Sequence, residues 1–269
     1  MEGERFVVSL PHVKSGGGSC MESFLTNALV HAGPALAIFL AAFLQSITGF
    51  GLVIVAAPLL MFFYEPKLVV PIMLLLACAG NSVQGFLMRK KANLPLIGWL
   101  YVGVILGQPL GFLAFDYVSN ATLKFWISTV VFISLLFMQV SHRHIPECRR
   151  NTVITGICSG FSSITSGMAG PPFLIYLAYT KMSADSFRAT CFVFFLFCNI
   201  TSLACYLIGG HSLSPAFAEV GYLLPALAIG LALGHVLARF IPTSLLRRLI
   251  FFILYATSLY TIWSVTMKG

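Results

Sequence analysis

The sequence predicts an all-α polytopic membrane protein of two inverted repeats, each a broken-helix hairpin followed by three transmembrane helices. Three observations predict it. Hydrophobic residues make up 58% of the 269-residue chain and charged residues 9%, with a mean hydropathy of +0.93, which leaves too little polar surface to cover a water-soluble domain. Apolar segments of spanning length recur between short charged loops. Glycine and asparagine positions also recur at a fixed interval: Gly49 and Gly167 are 118 residues apart, as are Asn81 and Asn199.

Residues 1–33 mix charges with the stretch "SGGGS" and lack the basic start and apolar core of a secretory signal, so they read as a flexible tail. The first repeat occupies 34–140, with apolar segments at 34–63, 68–88, 95–115 and 121–140. A linker follows at 141–150, and the second repeat runs over 151–266, with segments at 151–180, 188–208, 220–238 and 249–266. The net charge of +8 is concentrated in alternate loops: Arg89, Lys90 and Lys91; Arg143, Arg149 and Arg150; Lys181 and Arg188; Arg239, Arg247 and Arg248. By the positive-inside rule those loops are cytoplasmic and both termini lie outside, so the charge is a topology signal and implies no nucleic acid.

That assignment places basic loops on both sides of 151–180, so the segment must enter and leave on one face. Its interruption "TSGMAGPP" fits two half-helices meeting at a break, which is tolerated at membrane depth only beside protein or a water-filled cavity. The segment 34–63 has the equivalent interruption at "SITGFG" and would dip in from the outer face. Downstream the interval becomes 123, pairing Gly98 with Gly221, Gly107 with Gly230 and Gly111 with Gly234. A hairpin plus three crossings is an odd number, so the second copy is upside down, the pattern of secondary transporters with midplane sites.

The breaks supply the chemistry for an anion. A half-helix N-terminus presents unpaired N–H groups and a partial positive charge of about +0.5, and glycine lets an oxyanion approach the backbone. The candidate substrate-binding residues are Ser46, Thr48, Gly49 and Gly51 in the first turn and Ser163, Thr165, Ser166, Gly167 and Gly170 in the second. Phe50 and Ala169 add backbone amides. Pro171 and Pro172 suit the first turn of the second half-helix, and Pro58 suits the first interruption. Asn81 and Asn199, amides within apolar helices, are ligand contacts or interhelical ties; Gln84 and Gln108 are weaker candidates. The glycines also admit a plain packing role.

Arg188 and Thr190, at a helix start, are placed to receive an incoming anion, with interfacial snorkelling as the alternative for Arg188. His235 is a packed neutral histidine or a proton carrier. Cys191, Cys198 and Cys205 form one apolar stripe. No metal-spaced cluster or catalytic constellation occurs, and Glu65, Asp116, Glu147, Asp185 and Glu219 read as loop residues, which argues against an intramembrane enzyme and a carboxylate proton relay. No cofactor is expected.

The turns "SITGFGLVIVAAPLL" and "SITSGMAGPPFLIYL", with "RATCFVFF", "GQPLGFLA" and "GLALGHVLA", resemble the sulfite exporter TauE/SafE family over residues 34–266. In place of that family's triple-glycine turn the chain has "GFG" and "GMAG". The resemblance implies export or import of sulfite, a sulfonate or a related oxyanion or carboxylate across the bacterial inner membrane. The expected partners are that small anion, a coupling ion (H+ or Na+) and the lipid bilayer, with a homodimer left open. A passive anion channel on the same helices is the alternative, disfavoured because the polar groups cluster at two breaks and do not line a continuous path; a structural scaffold would have little use for paired hydroxyl-glycine turns.

Overall fold

A computed structural model describes residues 20–48, 52–140, 148–177, 180, 182–237 and the single positions 255, 259 and 263. The expectations for Gly49, Phe50 and Gly51, for most of the 141–150 linker and for the last span, 249–266, lie outside these residues. The described residues form α-helices, a 3-10 turn and connections, with no strand among them.

Helix α1 spans Cys20–Thr48 and α2 spans Leu52–Leu60. The tail expected over 1–33 is therefore helical from Cys20 onward, because apolar residues already recur before position 34. Helix α3 covers Pro66–Met88, with Pro66 at its first position, where the missing N–H has no partner to lose. After a 3-10 turn at Arg89–Lys91, α4 covers Leu94–Tyr117, capped by Asn93, whose side chain accepts from Leu96 N. Helix α5 covers Asn120–Val140 and α6 covers Arg149–Ser166. The short α7 is Gly170–Leu177, with Pro171 and Pro172 in its first turn as the sequence suggested. Helix α8 spans Ala184–Ile208, capped by Ser183, and α9 spans Ser214–Leu237. Of these, α4, α8, α9 and α3 with its following turn are long and apolar enough to cross a membrane.

Polarity is arranged for lipid. On α4, Val102, Ile105, Leu106, Leu110 and Leu113 face outward, while Gly103, Gly107, Gln108 and Gly111 face inward. Large apolar side chains on the surface and amides within are what a hydrocarbon solvent selects.

The two hairpin arms are exchanged between halves. Helix α6 runs alongside α4 and α1 runs alongside α9. Backbones meet there because glycine has no Cβ: one built on Gly107 would strike Ile157 O, and one on Gly111 would lie 2.6 Å from Phe161 O. On the other side, a Cβ on Gly230 would lie 2.6 Å from Phe39 O and one on Gly234 2.5 Å from Phe43 O. Residues 39 and 157, and 43 and 161, stand 118 apart, while 107 and 230, and 111 and 234, stand 123 apart. The intervals seen in sequence thus recur in the packing. At the centre α3 crosses α8, with Gly85 against Phe192.

Several carboxylates read as loop residues are helical. Asp116 closes α4, Asp185 opens α8, and Glu219 is buried within α9. Helix α9 begins at Ser214 with Pro215 in its first turn, earlier than the apolar run alone indicates.

Candidate functional site

The second break is built by Gly167. Its φ of 71° is left-handed, and its N–H donates to Ser162 O, closing the last turn of α6. Met168 N reaches the same carbonyl at 3.4 Å. The chain then restarts at Gly170, and α7 is held on α8 by Phe173, stacked on Phe194 with centroids 4.2 Å apart and edge-on to Phe195.

One cavity lies between the start of α2 and the second break. Its volume is about 420 Å³ including its open mouth, and its wall combines Leu52, Val53 and Ile54 of α2 with Gly167, Met168, Ala169 and Gly170 of the second break. Asn81 and Ala77 of α3, Asn199 and Phe195 of α8, Gln45 of α1 and Leu174 complete it. A Cβ on Gly167 would lie 3.6 Å from Val53, so the second break and the start of α2 are adjacent in space although 114 residues apart.

The polar groups of this wall are amides. Gln45 donates from Nε2 to Asn81 Oδ1 at 2.8 Å. That leaves Gln45 Oε1 buried without a partner, and Asn199 Nδ2 is buried and unpartnered as well. Gln45 is 2% exposed and Asn199 3%, so neither amide finds water at the protein surface; each orphaned group costs about 1–3 kcal/mol until a ligand or water meets it. Among the described residues, no charged side chain lines the cavity. Leu52, Val53 and Ile54 on its wall form the first turn of α2, where helix N–H groups lack intrahelical acceptors and carry a partial positive charge. The α7 end is poorer, because Pro171 and Pro172 remove two donors from its first turn.

The predicted residues divide accordingly. Asn81, Asn199, Gly167 and Gly170 line the cavity. Ser46, Ser163, Thr165 and Ser166 do not, because each of these hydroxyls is engaged within the protein. Ser46 donates to Leu231 O at 3.0 Å, Thr165 to Phe161 O and Ser166 to Ser162 O, and Ser163 shares a hydrogen bond with Ser202. A hydroxyl with helix carbonyls in reach satisfies itself there. Gln108 ties α4 to α8 through Cys198 O and Ser202, and Gln84 is absent from the wall. Thr190 donates to Ser186 O and accepts from Asn93 N. Thr48 ends α1; Gly49 and Gly51 lie outside the described residues.

Arg188 turns inward. It is half-buried, and its Nη2 donates to Ser46 O at 2.7 Å, capping α1 beside the first break. His235 is exposed on the last turn of α9, not packed. Gln45 is the contributor that sequence reasoning passed over: it stood among the polar residues of the first turn, but its reach across to Asn81 is a tertiary fact.

A family model described as "Sulfite exporter TauE/SafE" matches residues 35–261. No curated protein and no solved structure matches the chain.

Proposed function

The chain belongs to the sulfite exporter TauE/SafE family, and from that premise we propose that it is a secondary transporter carrying a small anion across the bacterial inner membrane by alternating access. Membership makes it a multi-pass membrane transporter of sulfite or a related anion. The finer reading names the cavity between α2 and the second break as the substrate site. The observation that carries it is the convergence of the start of α2, the second break and three buried amides on one space, with Asn199 Nδ2 still lacking an acceptor.

In this reading the anion accepts from Asn199 and from the first-turn amides of α2, the Gln45–Asn81 bond fixes the opposite wall, and Gly167–Gly170 lets it approach backbone. Each hydrogen bond to a charged ligand contributes about 1.5–3 kcal/mol. A site without a fixed cation releases its ligand readily, which turnover requires. Alternating access follows if the halves are inverted repeats, with both termini outside and the loops at 89–91 and 181–188 inside. The exchanged packing of α1 on α9 and α6 on α4 supports that symmetry, since the same register serves both halves.

Proteoliposomes test the reading with a panel of labelled sulfite, sulfonates and carboxylates. Saturable counterflow of one class, lost in Asn199→Leu, is the expected result. A non-saturating conductance without counterflow would instead make the protein a passive channel.

A further inference from the structure

Away from the cavity, Glu219 of α9 sits where two arms of the first hairpin meet. Its Oε2 accepts from Tyr64 Oη at 2.7 Å and lies 3.4 Å from His31 Nδ1. His31 belongs to α1, and its ring stacks on Tyr222 of α9 at 4.3 Å between centroids. Tyr64 follows α2, so Glu219 holds the beginning of one arm and the exit of the other against α9. The Glu219 side chain is 10% exposed and that of His31 14%, enough for a proton to arrive and too little to hydrate a charge fully.

We propose that Glu219, His31 and Tyr64 form a proton-binding site, with one proton on the Glu219–His31 pair clamping the first hairpin to α9, so that H+ is the coupling ion of the transporter. The proposal rests on the transport reading above and adds its driving ion. With the proton bound, as a new N–H or O–H bond, the pair is neutral overall. Without it, one negative charge remains in a poorly hydrated place and is relieved by opening toward water. Burial and the carboxylate hydrogen bond push the Tyr64 phenol up, so Tyr64 stays a donor throughout.

The other described titratable side chains on the packed elements look elsewhere. Lys67 and Glu65, at the start of α3, engage Asp116 O and Asn120. Tyr222 meets His31 by its ring face. The equivalent place by the repeat lacks the constellation: the intervals that match the repeats put Arg149 and Met182 where His31 and Tyr64 stand, and Leu96 where Glu219 stands. A proton site on the first hairpin without a counterpart at Arg149, Met182 and Leu96 breaks the symmetry of the two repeats.

Infrared spectra of the full chain in lipid, recorded between about pH 5 and 8, read the site without any substrate. A band that changes on acidification at carboxyl or imidazole frequencies and is missing in Glu219→Gln is expected; an identical band change in the variant overturns the proposal. If that variant does not fold, Tyr64→Phe decides. Loss of the donor destabilises the carboxylate, so the band should emerge at higher pH, and an unmoved midpoint counts against the site. In proteoliposomes with a trapped pH dye and a methanesulfonate gradient, protons moved per sulfonate should fall about tenfold in Glu219→Gln; an unchanged ratio overturns the coupling. Absence of sulfonate or sulfite movement in wild type would defeat the transport reading, while the infrared result still decides the proton site.

Discussion

Gln45 Nε2 donates to Asn81 Oδ1 at 2.8 Å, joining the arm that leads into the first break to the central helix α3. The bond fixes which atoms of each amide remain for a ligand. Gln45→Leu leaves Asn81 buried with a lost donor, and Asn199→Leu removes the orphaned N–H itself. Both should weaken anion binding by about one to two powers of ten. Asn199→Leu should leave thermal stability near wild type, because its Nδ2 has no protein partner to lose, whereas Gln45→Leu should lower it. Binding measured by counterflow competition, with melting in detergent, separates the two; unchanged affinity in Asn199→Leu would remove it from the site.

Gly167→Ala should destabilise the protein by about 1–2 kcal/mol through the backbone alone, since a left-handed φ is strained for any residue with a Cβ. Space is not the obstacle: that Cβ would find Met73 and Val53 at 3.5 and 3.6 Å, ordinary contact distances. The test is a lowered melting midpoint with the variant still inserted. A midpoint equal to wild type would mean the break relaxes freely.

Thr165→Val should change affinity little. The hydroxyl donates to Phe161 O, within its own helix, and such bonds contribute little to either helix or ligand. A loss of tenfold or more in competition assays, estimated from the value of one charged hydrogen bond, would mean that Thr165 turns to the anion during transport.

Much of the fold was legible because hydrocarbon imposes simple rules. Spans, breaks and the 118-residue interval follow from apolar length, Gly/Pro chemistry and Asn81/Asn199, and the packing of Gly107 on Ile157 and Gly230 on Phe39 repeats that interval. The cavity wall was legible in Gly167, Gly170 and the two asparagines, less so in its other polar groups. Hydroxyls beside glycines look like ligands in a sequence, yet Thr165 and Ser166 have helix carbonyls in reach. Glu219 was misplaced for a related reason: a carboxylate near a span end reads as loop, and only tertiary partners, Tyr64 and His31, show it buried.

Arg188→Gln decides how positive charge serves the first break. A cation at the C-terminus of α1 is favoured by the helix dipole, and the guanidinium reaches Ser46 O at 2.7 Å while its Nε stays buried without a partner. A charged hydrogen bond of this kind contributes about 1.5–3 kcal/mol, so Arg188→Gln should lower the melting midpoint and reduce turnover at saturating anion as the break loses its hold. Arg188→Lys should rescue only in part, because an ammonium on a shorter reach cannot reproduce the guanidinium fork. A residue that merely steered anions from solution would behave differently: its loss would slow association and flatten the salt dependence, with saturated turnover and stability intact. Turnover against concentration at two ionic strengths, with melting of the same preparations, tells the cases apart. Wild-type stability with only a slower, less salt-sensitive association would show that the Arg188 to Ser46 contact does not hold the break.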